Sequence, residues 1–253
     1  MSPSAALRRE LAKSPRLLLA LDFDGTLARL RRDRRAPRLP AGRRKALSVL
    51  AKTHGVRILV VSGRALADLR GRCPVPGAAF AGDHGLRLEG IGPRWRHPDL
   101  ARRRRRAGIL AAAARAAAKD LPGVRVERKE ASVAVHYRNA PAVRRDPKPL
   151  KRALERLPLS GWRVAPGKCL WELRPRQDWG KGEAILLALK RLGRGWKAAF
   201  VGDDTTDEEG FAVLGRRALT VRVGPGRTAA RWRLPGIGSV DRLLAEIRRS
   251  RRP

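Results

Sequence analysis

The sequence predicts an α/β protein: an open parallel sheet covered by helices on both faces, with a second, smaller α+β unit inserted into it. Three observations lead there. Apolar runs of strand length recur without alternation, in "RLLLALDFD" (16–24) and "VRILVVSGR" (56–64), and strands that are continuously apolar are those buried on both faces. A segment of helical period, "PAGRRKALSVLAKTHG" (40–55), lies between them, giving the strand, helix, strand order of a parallel sheet. From about residue 98 to about residue 176 the pattern changes to short alternating strands between helical segments.

In chain order, the spacing of Leu7 and Leu11 suits a short helix, and the first strand then runs straight into Asp22-Phe23-Asp24-Gly25-Thr26. The helix over 40–55 takes Gly55 as its stop, and the second strand ends at Ser62-Gly63. The inserted unit reads as helix 99–119, strands 124–129 and 132–138, helix 148–157, and strands 162–165 and 169–174. Its first helix carries a run of arginines at its N-terminal end, the unfavourable end for cations. The chain then returns to the first pattern: a helix beginning near Lys181 in "DWGKGEAILLALK", a strand in "WKAAFVGDDTTDEEGF" that again ends in acids, and a fourth strand in "ALTVRVG". The domains expected are therefore a discontinuous core, 1–97 with 177–253, and an insertion, 98–176.

Within the insertion the strands alternate. Val124, Val126, Val133, Val135, Tyr137, Cys169, Trp171 and Leu173 share one parity, and Arg125, Glu127, Lys129, Ser132, His136, Arg138, Lys168, Glu172 and Arg174 the other. The first set packs under the two helices, leaving the second as an open polar face. Such a face is either simply solvated or a place for a hydroxyl-rich ligand; the residues alone leave both open.

Composition narrows the class. A length of 253 residues with 43% hydrophobic content suits a globular protein that needs no staples. Cys73 and Cys169 lie far apart and match no metal spacing, so two buried thiols in a reduced, cytoplasmic protein are expected. No apolar stretch is long enough to span a bilayer, and the run at 17–21 is too short for a signal peptide. The 58 Lys and Arg against 23 Asp and Glu give a net charge of +35. That excess reads as a polyanion surface or as a general arginine bias. Its even spread, with no nucleic-acid module, favours the bias, leaving non-specific polyanion binding without a dedicated nucleic-acid partner.

The chemistry lies at the strand ends. In open parallel sheets a ligand sits beyond the carboxyl ends of the strands, where Asp22, Asp24, Ser62, Asp203 and Asp204 fall. Two acids at i and i+2 followed by glycine suggest one carboxylate as nucleophile and the other, on the turn, as general acid and base. A hard divalent cation, Mg²⁺, would let these carboxylates face an anionic substrate, taking Asp22, the main-chain carbonyl of Asp24 and Asp203 as ligands. Ser62 is placed to bind phosphate with help from the Gly63 N–H, and Lys181 to hold an anion at a helix start.

"LDFDGTLA", "VSGR", "KGEA" and "FVGDDTTDEEGF" resemble the four motifs of the haloacid dehalogenase superfamily of aspartate-nucleophile phosphatases. Over nearly its whole length the chain resembles the trehalose-phosphate phosphatases within it, through "AGDHGLRL", "VERKEASVAVHYR" and "GKCLWELRPRQDWGKGEAI". The resemblance implies a Rossmann-like core of that type and a cap domain for sugar recognition. It implies an Mg²⁺-dependent hydrolysis of trehalose 6-phosphate, with cap opening and closure. A monomer is expected, although the sequence itself does not reveal the oligomeric state. The resemblance also implies that Asp22 attacks phosphorus, Asp24 protonates the leaving sugar oxygen and later activates water, and Asp203 completes the metal site. Asp207 helps hold Lys181, with Asp204 and Thr26 around the same set. In the cap, Glu127, Lys129 and Glu172 would grip the sugar hydroxyls, with His136, Arg138 and Lys168 as further candidates. The chain departs from the family in its basic "RLRRDRRAPR" after the first motif and in Gly210 where alanine is common. Another sugar phosphate, such as sucrose phosphate or mannosylglycerate phosphate, and a polyanion-binding role remain as alternatives.

Overall fold

The computed structural model describes residues 5–30, 37–167, 169–176 and 179–251. Lys168 and residues 31–36 of the basic segment thus lie outside the described residues. The chain divides into two compact units, one made of Met1–Arg96 with Trp179–Pro253, the other of His97–Asp178.

The first unit is built on an eight-stranded sheet. Its elements before the division are α1 (Ala5–Ala12), β1 (Arg16–Asp22), α2 (Ala41–Ala51), β2 (Val56–Val61), α3 (Leu66–Arg72), β3 (Ala79–Gly82), β4 (Arg87–Glu89) and β5 (Trp95–Arg96). The second unit contributes α4 (Leu100–Ala117), β6 (Arg125–Arg128), β7 (Val133–His136), α5 (Pro141–Arg145), α6 (Lys148–Glu155), β8 (Trp162–Gly167) and β9 (Leu170–Pro175). The first unit resumes with α7 (Lys181–Leu192), β10 (Trp196–Gly202), α8 (Thr205–Leu214), β11 (Ala218–Val223), β12 (Trp232–Leu234) and α9 (Gly238–Arg249).

Strand order in the large sheet is β12-β11-β10-β1-β2-β3-β4-β5, parallel from β12 to β3 and antiparallel at β4 and β5. β1 is central, and its unbroken apolar run has a simple cause. Leu17, Leu19 and Leu21 pack with Leu47 and Leu50 of α2 and Leu243 and Leu244 of α9, while Leu18 and Ala20 face Ala184 and Ile185 of α7 and Phe211 of α8. Each leucine fully withdrawn from water in this way contributes about 1.5–3 kcal/mol. α2 stops at Ala51 rather than running to Gly55, which instead takes a φ of 73° in the turn before β2.

In the second unit the sheet order is β6-β7-β9-β8, all antiparallel. Ala107, Leu110, Ala111 and Ala114 of α4 and Leu150 and Leu154 of α6 cover Val133, Val135, Trp162 and Leu173, so the apolar parity lies under the two helices. The opposite face is less open than alternation suggests. Ser132, Glu172 and Arg174 are all under a tenth exposed, and Ala134 is fully buried; Lys129 and Ser132 fold onto Glu172, and His136 onto Glu127. Cys73 is buried, but Cys169 is only half-buried; it takes a φ of 58° in the turn between β8 and β9.

Candidate active site

Register decides which residues meet at the carboxyl end of the large sheet. Asp22 lies opposite Val61, so Ser62 is one residue further out on the neighbouring strand. Leu21 lies opposite Val201, which puts Gly202 level with Asp22 and Asp203 one step beyond. The start of α7 adds Lys181 from the helix layer. Its ammonium donates to Asp22 Oδ1 at 2.7 Å and to Asp207 Oδ1 at 2.8 Å, with Asp204 Oδ1 at 3.8 Å.

Local sequence chemistry fixes the rest. Asp204 is the N-cap of α8, accepting from the N–H groups of Thr206 and Asp207 at 2.8 and 3.0 Å. Asp207 reaches back, its Oδ2 accepting from the N–H groups of Asp203 and Asp204 at 2.8 and 3.0 Å. Thr26 donates from its hydroxyl to Asp203 Oδ1 at 3.0 Å. Gly25, at φ 93°, is required on two counts: a side chain would be strained there, and its Cβ would fall 2.1 Å from Asp203 Oδ2.

The electrostatics are those of crowded, dehydrated acids. Burial pushes Asp22 well above the usual carboxylate range; Lys181 opposes this, while Asp207, Asp204 and Asp203 add to it. Burial likewise raises Asp207 to about 7 against the pull of Lys181, and burial with the Asp204 charge raises Asp203 to about 6. Desolvation would lower Lys181, but the carboxylates of Asp204, Asp207 and Asp22 overcome it and hold it well above the usual lysine value. One ammonium thus serves several carboxylates. Among the described residues, carboxylate oxygens of Asp22, Asp203 and Asp207 lie within 4.8 Å of one another, a set that could hold a metal ion. Oxygen donors with surplus negative charge suit a hard divalent cation, so the residues present fit Mg²⁺.

Two contacts were not legible in the motifs. The Asp24 carboxylate is held bidentately by Arg64, Nε to Oδ2 at 2.6 Å and Nη2 to Oδ1 at 2.7 Å, and Arg64 in turn donates to Asp68 at 2.9 Å. Arg64 directly follows the Ser62-Gly63 pair, and an arginine in that place facing a DxD turn is the signal that would have found it. The second contact explains Gly63. A Cβ there would lie 2.5 Å from the imidazole of His84, a residue whose main-chain N–H donates to the Ser62 carbonyl at 3.0 Å. Ser62 itself is buried, its hydroxyl accepting from the Arg64 N–H at 3.2 Å. Trp179 stacks against Trp95 with centroids 4.7 Å apart and donates to the Gly85 carbonyl at 2.8 Å.

The second unit gathers most of its candidates on one face. Lys129 and Ser132 both donate to Glu172 Oε1, at 2.7 and 2.9 Å, and His136 Nε2 lies 2.8 Å from Glu127 Oε2. Ala134 stands between Glu127 and Glu172 in the cross-strand row, so a small side chain separates two carboxylates. Arg138 lies two residues beyond the end of β7 and is exposed.

The fold is of the class seen in haloacid dehalogenase-like hydrolases. A solved haloacid dehalogenase-like hydrolase from Bacteroides thetaiotaomicron superposes with a TM-score of 0.63 at 15% identity, covering 92% of this chain and 99% of that one. The C-terminal domain of the Candida albicans trehalose-6-phosphate phosphatase superposes with a TM-score of 0.84 at 22% identity, covering 98% of each chain. In sequence, residues 20–234 match the trehalose-phosphatase family model. The chain is 36% identical over 248 residues to a trehalose-phosphate phosphatase of Mycobacterium tuberculosis, with 90% of this chain and 61% of that protein covered. The chain belongs to the trehalose-phosphatase family, and it spans about three-fifths of the length of that relative.

Proposed function

We propose that the protein hydrolyses trehalose 6-phosphate to trehalose and phosphate through a phosphorylated Asp22. The observation that carries this reading is the Asp22 carboxylate at the end of the central strand, buried and 2.7 Å from the Lys181 ammonium. Family membership supports the substrate.

In this reading a carboxylate oxygen of Asp22 attacks phosphorus in line with the bond to the sugar. Asp24 donates a proton to the leaving sugar oxygen, then takes one from the water that attacks the aspartyl phosphate, which regenerates Asp22. For both steps the Asp24 carboxyl turns from Arg64 toward the substrate. Ser62 donates its hydroxyl, and Gly63 its N–H, to phosphoryl oxygens, and Lys181 adds its charge as negative charge builds on them. Asp207 anchors Lys181 through the contact at 2.8 Å. Mg²⁺, held by Asp22, the Asp24 carbonyl and Asp203, supplies charge neutralisation between the acids and the phosphate when bound.

The second unit, as a cap over residues 98–176, takes the sugar. Carboxylates of Glu127 and Glu172 accept from sugar hydroxyls, and Lys129 and His136 donate to them. Binding energy from the sugar farther from phosphorus then gives specificity. The setting is a reduced cytoplasm.

The test is phosphate release from trehalose 6-phosphate beside sucrose 6-phosphate, glucose 6-phosphate and mannosylglycerate phosphate, with and without Mg²⁺, for wild type and Asp22→Asn. Preference for the trehalose ester, lost without metal and in the variant, is the expected result. Preference for another ester overturns the cap assignment and keeps the chemistry; hydrolysis of none overturns both.

A further inference from the structure

Arg43 is the third residue of α2, yet its side chain is only 7% exposed. It also stands in the first turn of its helix, where the macrodipole disfavours a cation. A guanidinium withdrawn from water is tolerated when its N–H groups find acceptors, and here every one does. Nε and Nη2 donate to Asp241 of α9 at 2.7 and 2.8 Å, and Nη2 also to the Ile237 carbonyl at 2.6 Å. Nη1 donates to the carbonyls of Leu27 at 2.8 Å and Thr26 at 3.3 Å.

Those two carbonyls belong to the turn that follows Asp24. The same turn sends the Thr26 hydroxyl to Asp203, and at Gly25 it approaches Asp203 so closely that a methyl group would collide with it. The turn therefore has little slack, and a sub-ångström drift would move Asp24 and Asp203 together. Lysine could not reproduce the arrangement, since one ammonium is a point charge without the planar fork that reaches acceptors on both sides.

We propose that Arg43 is a positioning residue: it braces the Asp24–Thr26 turn against the start of α9 and, through Thr26, sets the carboxylate of Asp203. The kinetic part of this rests on the phosphatase reading. Misplacement of this order, remote from the chemistry, can cost about a hundredfold in rate.

The experiment compares wild type, Arg43→Lys and Asp241→Asn. Each is assayed on trehalose 6-phosphate and p-nitrophenyl phosphate, and by amide hydrogen exchange of the segment 23–28, with β2 as internal reference. For Arg43→Lys, kcat should fall by about 10- to 100-fold on both esters while KM changes by less than about threefold, because Arg43 touches no substrate. Exchange in the turn should quicken about tenfold or more while β2 keeps its protection. Asp241→Asn, which weakens only the α9 side by removing the carboxylate charge and leaving the Ile237 carbonyl, should move both readouts in the same direction by less, and it decides the matter if Arg43→Lys does not fold. Unchanged kcat overturns the proposal, as does exchange that quickens equally in β2, which would mean general loosening. If wild type hydrolyses neither ester, the phosphatase reading falls by itself, and the exchange measurement alone decides whether Arg43 braces the turn.

Discussion

Lys181→Met isolates the central balance of the site. Methionine keeps an unbranched apolar stem but removes the ammonium from between Asp22 and Asp207, whose side chains are 4% and 0% exposed. Removing one partner of a buried ion pair leaves uncompensated charge and costs about 3–5 kcal/mol. The orphaned carboxylates can escape that cost only by taking up protons, and this gives the prediction its sign. Asp207 already stands at about 7 and Asp22 well above the usual range, and loss of the ammonium pushes both higher. A carboxylate with a raised folded-state pKa holds a proton that the unfolded chain releases near pH 4, so stability falls as pH climbs from there toward the folded value. In the variant the loss should therefore be about 3–5 kcal/mol near pH 8.5 and shrink to a fraction of that near pH 5.5. Urea unfolding in the presence of a chelator measures it, with the slope of the transition unchanged. Adding Asp22→Asn should recover about 1–3 kcal/mol at the higher pH, because it deletes one of the orphaned charges. A loss equal at both pH values, or a double variant weaker than the single, would refute the reasoning.

Three further outcomes follow from the geometry. Gly63→Ala should destabilise by about 1–3 kcal/mol through overpacking against the His84 ring, and His84→Ala in the same chain should restore most of it; thermal melts of the three proteins decide. Burial pushes the Cys73 thiol up to about 12, so a thiol reagent near pH 8 should label the native protein only at Cys169, with Cys73 reacting after unfolding; fast labelling of Cys73 would contradict its place in the core. Mg²⁺ should raise the melting temperature of the chelator-treated protein more near pH 8 than near pH 5, because protons compete for Asp203, which stands at about 6. No shift at either pH would remove the acidic cluster as a cation site.

Legibility in the sequence followed the strength of local pattern. β1, β2 and β10 were readable because each holds a continuous apolar run, and that run is required of a strand with helices on both faces. β4 and β5, three and two residues long, carry too few positions for any period to show, and α5 is a single short turn opened by Pro141. The motif residues were readable one by one because strand ends and helix starts localise them. Their partners were not: Arg64 meets Asp24 across 40 residues and Arg43 meets Asp241 across 198, and nothing in local spacing announces which arginine of an arginine-rich chain is buried. The polar face of the second unit shows the same limit. Alternation placed Lys129, Ser132 and Glu172 on one side correctly, yet it could not show that they close on a single carboxylate oxygen.

That arginine excess does not do at a distance what the site needs nearby. The net charge of +35 raises the concentration of anions around the molecule, but screening limits its reach to about 8–10 Å at physiological salt. At the strand ends the local sign is reversed: Asp22, Asp203, Asp204 and Asp207 surround one Lys181, and Arg64 is already matched by Asp24 and Asp68. Like charges about 4 Å apart cost on the order of 4 kcal/mol at the effective dielectric of a partly buried site, so a phosphate dianion arriving there would meet repulsion that a single ammonium, divided between two carboxylates, cannot cancel. On the proposed reading, either those acids would take up protons, which would disarm Asp22 as the proposed nucleophile, or a divalent cation would have to accompany the phosphate. The raised values of Asp22, Asp203 and Asp207 are the same requirement seen from the protein's side, since the groups that most readily bind a proton in the metal-free chain are those with most to gain from a cation.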